Sequence, residues 1–121
     1  RIVINDRADV ARAVGVPAVH LRDDGWPVAR VRALFDAPVL VGQSIHDAGA
    51  AARSQADYVH VGAVFGSGDK PAGGLDLLRA VAAVSRVPVH AVGGVTPANA
   101  AACRAAGAAG AEEPEEDPAD A

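Results

Sequence analysis

Short apolar runs recur along the chain with turn signals between them: Ile2–Ile4, Ala18–Leu21, Pro38–Val41, Tyr58–Gly62 and Val87–Val92. They are rich in β-branched residues and do not read as alternating with polar ones, the pattern of strands buried on both faces. Between them lie Ala/Arg/Leu stretches with helical spacing. Pro27–Phe35 sets Val28, Val31 and Phe35 on one stripe, with Arg30 and Arg32 off it. Gly74–Val84 does the same with Leu75, Leu78 and Ala82. Pro97–Ala106 opens on Thr96-Pro97, a capping residue followed by proline at the first helical position, and stops at Gly107. Strand and helix alternate at about twenty residues per unit, which predicts parallel strands joined by right-handed crossovers. An open doubly wound sheet and a TIM (β/α)8 barrel both satisfy this α/β pattern. A barrel needs roughly 200 residues or more, so 121 residues would make a partial one.

Composition narrows the classes. Ala and Val supply 47 of the 61 apolar residues, so the core is built from small side chains on close-lying helices. No run of ~18 apolar residues exists, so no membrane span is expected, and the start lacks the long apolar core of a secretory leader. The expected location is cytoplasmic. The single cysteine, Cys103, excludes a disulfide framework and reads as a small buried residue inside a helix. With no methionine in the chain, Arg1 is expected to be a cut end.

Charge divides the chain in two. Six of the 15 acids (Glu112, Glu113, Glu115, Glu116, Asp117, Asp120) fall in the last ten residues, leaving nine against 11 basic residues in 1–111. Residues 112–121 therefore read as an acidic disordered tail on a domain spanning 1–111. The arginines are scattered and aromatics are 3% of the chain, which argues against nucleic acid as a partner.

In parallel α/β proteins the chemistry gathers where strands run out into loops at their carboxyl ends. Gly93-Gly94-Val95-Thr96 there lets a ligand approach the backbone closely and suits a phosphate, or else a tight turn. Lys70, the only lysine beside ten arginines, lies in a glycine-rich loop and suits closing over phosphate, or is an ordinary surface lysine. Asp6, after Asn5, reads equally as a Mg²⁺ ligand or as the cap of the next helix. The histidines His20, His46, His60 and His90 lie on or just after strands, and their spacing gives no sign of a zinc cluster. His46 is the best placed for acid–base or hydrogen-bond work. Ser44 with His46 makes a weak nucleophile–base pair, because nothing orients the base.

Taken in register, these strand ends resemble one family, thiamine phosphate synthase and the related thiazole tautomerase. The carriers are Ile4-Asn-Asp-Arg7, Val19-His-Leu21, Val41-Gly-x-Ser-x-His46, Ala56-Asp-Tyr-Val59 with Gly62-x-Val-Phe65, Lys70, Val92-Gly-Gly-Val-Thr-Pro-x-Asn99 and Ala105-Ala-Gly-Ala-x-Gly110. The resemblance implies a partial TIM (β/α)8 barrel carrying strands three to seven. The first two strands would precede Arg1, and the acidic tail would stand in place of the eighth. It implies an enzyme of the transferase class that joins hydroxymethylpyrimidine diphosphate to thiazole phosphate and releases diphosphate. On this basis Asn5, Ser44 and Lys70 contact the pyrimidine diphosphate, Ser67 lies in the same substrate loop, and Gly93 with Gly94 hold the thiazole phosphate. Lys70, Ser44 and His46 are the catalytic candidates, and Asp6 is the ligand of the implied Mg²⁺.

The departures from that pattern are specific. The second magnesium aspartate falls on Gly25, one place from Asp24, and Arg22 stands where the synthase usually has glycine. The threonines ahead of the lysine read Ser67-Gly-Asp69, and the tautomerase histidine falls on Ala63. These leave a thiazole tautomerase-like protein and a non-catalytic barrel fragment as alternatives. Open sheet edges would favour self-association.

Overall fold

In the computed structural model, the residues described are 2–62, 64–65 and 74–111. The tail 112–121, with Ser67, Asp69 and Lys70, lies outside them. Six strands form one sheet in chain order, every neighbouring pair parallel. They are β1 (Ile4–Asn5), β2 (Ala18–Leu21), β3 (Leu40–Ile45), β4 (Tyr58–Val61), β5 (Val89–Ala91) and β6 (Gly110–Ala111). Helices α1 (Ala8–Val14), α2 (Val28–Ala33), α3 (Ala48–Arg53), α4 (Gly74–Val84) and α5 (Ala100–Ala105) connect them in strict alternation. Consecutive parallel strands with a helix at each crossover rule out the reversed order of a doubly wound sheet; this is barrel topology.

The helices dock as their apolar stripes require. In α2, Val28 and Val31 are buried, with Phe35 packed beside them against Val19, Leu21 and Val41. In α4, Leu78 and Val81 are fully buried beside Ile45, Val59 and Val61, with Leu75 at the edge. Val81 takes the inward place that spacing gave to Ala82. Cys103 is buried in α5 as its alanine neighbours suggested, and burial raises its thiol pKa. The two clusters are built almost wholly from Val, Ala, Leu and Ile.

Three expectations are corrected. The strands are not all buried on both faces: β2 and β3 carry adjacent buried residues, but β4 and β5 alternate half-buried and buried residues along their length. Registers put Leu21, Gln43, Val59 and Val89 in one row, with the pair Val19 and Val41 on one side of it and Ile45, Val61 and Ala91 on the other, all on the same helix-covered face. The opposite face carries Asn5, His20, Gly42, Ser44, Tyr58, His60, His90 and Gly110. Second, β3 runs on through Ile45, so Ser44 belongs to a strand and not to the loop after it. Third, a sixth strand exists at Gly110–Ala111, where the acidic tail was expected to leave none. Its two small residues carry no hydrophobic signal, and backbone pairing to β5 defines it.

Among the described residues, no helix is long and apolar enough to cross a membrane.

Candidate functional site

The carboxyl ends of the strands share one rim, and polar contacts run along it from β1 to α5. The Asp6 amide donates to the His20 carbonyl at 2.8 Å, and the Asp6 carboxylate accepts the Arg22 amide at 2.8 Å. Next along, His46 Nδ1 donates to the Gly62 carbonyl at 2.9 Å, while its Nε2 lies 3.4 Å from Asp23, an ion pair once the ring is protonated. The Phe65 amide then donates to the Gly93 carbonyl at 2.9 Å, and Asn99 Nδ2 donates to the Gly94 carbonyl at 3.1 Å. One row of loops is thus tied laterally as well as by the sheet.

The Gly93-Gly94 turn is the most constrained part of that rim. Both glycines have positive φ, 92° and 69°, a region that a residue with a Cβ enters at a cost. Asn99 locks the head of α5. Its side-chain oxygen accepts the Thr96 amide at 2.8 Å, and its own amide donates to the Thr96 hydroxyl at 3.3 Å, a reciprocal clamp. The Thr96 hydroxyl thus caps the turn ahead of α5, not the regular helix, which starts at Ala100 with Asn99 as its flanking residue and no side-chain cap.

Lys70 and Ser67 lie outside the described residues, but the anchors of their loop do not. The Gly74 amide donates to the Val64 carbonyl at 2.8 Å, and the Val64 amide donates to the Val92 carbonyl at 3.0 Å. Both flanks of the segment therefore meet beside the glycine turn.

The face turned away from the helices carries the second set of candidates. Asn5 pairs with His20 in register, and Ser44 with His60. Ser44 does not pair with His46, as spacing had suggested. Its Oγ lies 2.8 Å from His20 Nε2, whose Nδ1 lies 3.4 Å from the Tyr58 hydroxyl. His20, His60 and His90 converge on this face, against the expectation from spacing. Ring centroids are 4.4 Å apart for His20–His60 and 5.8 Å for His60–His90, with Tyr58 5.3 Å from His60. Burial, with a smaller contribution from the charge of His90, depresses the His60 pKa to about 4. Gly42 makes room for this layer, since a Cβ there would run into the Tyr58 ring.

A signal for this cluster was present. Val19-His20-Leu21, Val59-His60-Val61 and Val89-His90-Ala91 each place one histidine between two aliphatic residues. On a strand that puts the aliphatic pair on one face and the imidazole on the other.

Asp6 is held by Arg22 at the end of β1. It does not cap α1, whose flanking residue is Arg7 and which has no side-chain cap. Nor do its surroundings fit the implied Mg²⁺. One carboxylate oxygen takes the Arg22 amide, the other lies 3.5 Å from Arg22 Nε, and Gly25 beside it offers no side-chain ligand atom. Among the described residues, no group of three or more His, Cys, Asp or Glu is arranged to hold a metal ion.

The opposite end of the sheet is structural. Asp57 accepts the Val41 amide at 2.8 Å and pairs with Arg32 at 3.1 Å, and an open hollow there is walled by Arg32, Pro38, Val39 and Gln55.

Comparison with known proteins agrees with this geometry. A family described as thiamine monophosphate synthase matches residues 1–111. A thiamine-phosphate synthase from Laribacter hongkongensis is 44% identical over 114 residues, covering 89% of this chain and 54% of that protein. A putative thiamine-phosphate synthase from Geobacter sulfurreducens is 40% identical over 117 residues, 91% of this chain and 55% of its own length. Among solved structures, thiamine phosphate pyrophosphorylase from Pyrococcus furiosus superposes with a TM-score of 0.78 at 29% identity, over 90% of this chain and 55% of that one. FabK from Thermotoga maritima shares the fold, with a TM-score of 0.71 at 23% identity over 90% of this chain and 39% of its own. The chain spans about half the length of the thiamine-phosphate synthases it matches. With the strand order in keeping with that match, the chain belongs to the thiamine monophosphate synthase family.

Proposed function

We propose that this chain serves thiamine biosynthesis in the cytoplasm, in a protein that couples hydroxymethylpyrimidine diphosphate to thiazole phosphate. In that reaction the methylene C–O bond breaks with its electron pair leaving on diphosphate. The thiazole nitrogen lone pair then forms the new C–N bond. The chain's own groups have to gather the anions and stabilise the charge that builds on the leaving diphosphate. Lys70 supplies the ammonium for that charge, Asn5 and Ser44 contact the pyrimidine diphosphate from the inner face, and Ser67 contributes from the lysine's loop. Gly93 and Gly94 receive the thiazole phosphate. His46, bound to the Gly62 carbonyl and facing Asp23, braces the rim between the ends of β2 and β4.

The single observation that carries this reading is the lateral tie at the rim. Val64 and Phe65, ahead of the Lys70 segment, are hydrogen-bonded to Val92 and Gly93, and Gly74 after it is bonded to Val64, which supports a lysine and a glycine pair acting on one rim. The test is thiamine phosphate formation from both substrates by the protein as its gene encodes it. Product with equimolar diphosphate supports the reading, and no product with folded protein removes it. A second reading, ligand binding without turnover, draws on Gly25 in place of a carboxylate and on Asp69 beside Lys70. Tight binding of both substrates with no product selects it.

A further inference from the structure

At the end of β1, the carboxylate that the family resemblance assigns to a metal already holds a cation of the chain's own. Asp6 has a φ of 60°, a left-handed conformation that aspartate tolerates better than most residues. From there its Oδ1 accepts the Arg22 amide at 2.8 Å and its Oδ2 lies 3.5 Å from Arg22 Nε. The same Nε is 3.3 Å from Asp24, so the guanidinium bridges two carboxylates that flank it in space. Asp24 is thereby engaged too, and does not replace a ligand at position 25.

Gly25 lies against the same carboxylate. A Cβ built there would lie 3.4 Å from Asp6 Oδ1, so this is the position from which a second carboxylate would reach the same ion. It carries no side chain. Mg²⁺ requires near-octahedral oxygen ligands at ~2.0–2.1 Å and uses one or two carboxylates with ligand phosphates. Here one carboxylate is missing, and of the other's two oxygens one takes a backbone amide and the second faces the Arg22 guanidinium. A dication at Asp6 would also meet the guanidinium's like charge at close range.

We infer that Arg22 is the resident cation of this corner, and that it makes Asp6 a structural carboxylate closed to divalent metal. The inference rests on the proposed thiamine reading for what position 6 would otherwise bind. Its test does not use the coupling reaction.

The probe is Mn²⁺ alone, followed by electron paramagnetic resonance of the free ion, on the protein as its gene encodes it. Wild type and Asp6→Asn should take up Mn²⁺ equally weakly. The double variant Arg22→Gly/Gly25→Asp should bind at least ~10-fold more tightly, and adding Asp6→Asn should return it to the wild-type value. One equivalent of Mn²⁺ bound tightly by wild type and lost in Asp6→Asn would overturn the inference. So would a folded double variant, checked by circular dichroism, with unchanged affinity. If the double variant does not fold, Arg22→Gly alone decides: tighter Mn²⁺ binding sustains Arg22 as the obstacle, and no change overturns it. Thiamine phosphate formation is scored separately, so loss of the coupling reading leaves this result standing, and the reverse also holds.

Discussion

His20 Nε2 and Ser44 Oγ lie 2.8 Å apart across β2 and β3, with His20 Nδ1 3.4 Å from the Tyr58 hydroxyl on β4. The pair joins residues 24 apart in the chain and orients the Ser44 hydroxyl from a neighbouring strand. His20 is thus a positioning residue for a proposed substrate contact. His20→Ala should raise KM for the pyrimidine diphosphate about tenfold with a smaller change in kcat, the worth of roughly one hydrogen bond. Steady-state kinetics on wild type and His20→Ala, with His20→Gln as the conservative control, reads this directly. Unchanged KM in His20→Ala would leave the contact a packing feature.

His60 makes stability depend on pH. Its pKa in the fold is about 4, against an ordinary value of 6.5, chiefly because the ring is partly buried. The rings around it are His20, Tyr58 and His90, and Ser44 faces it in register. Below pH 6.5 the unfolded chain binds a proton that the folded ring refuses. Stability therefore falls as pH drops from about 6.5 and levels off below about 4. Discounted for solvent screening at a half-exposed ring, the loss is on the order of 1–2 kcal/mol. Urea unfolding of wild type and His60→Asn between those pH values checks it: the variant should show a flatter profile.

Lys70 is tested through the leaving group. Lys70→Ala should lower kcat by about 100-fold or more, because a preorganised cation acts where charge builds during bond cleavage. Thermal unfolding should not change. Activity equal to wild type would remove the proposed role.

Gly42 tests the inner face. Because a Cβ there would run into the Tyr58 ring, Gly42→Ala should cost about 1–3 kcal/mol, as overpacking does. Denaturant midpoints would show it, and Tyr58→Ala in the same chain should recover part of the loss. Additive losses from the two substitutions would mean that the ring and the glycine do not meet.

The amino-acid pattern was enough to specify which face of α2 and α4 turns inward, since Val28, Val31, Leu75 and Leu78 recur at the period of a helix. It also specified the glycine turn with its Thr96 cap, because both depend on residues within a few places of each other. Helix α3 escaped notice: Ala48-Gly-Ala-Ala-Ala has no apolar–polar contrast, and Asp47, which accepts the Ala50 amide at 2.7 Å, was its one local sign. Strand β6 escaped for the same reason. The histidine layer, the His20–Ser44 bond and the Arg22–Asp6 pair are different in kind. Each joins residues from separate strands or the loops that leave them, and which side chains meet is set by interstrand register, the product of backbone hydrogen bonds between segments far apart in the chain. Periodicity along one strand reports the face a side chain takes, and carries no information about its neighbour across the sheet.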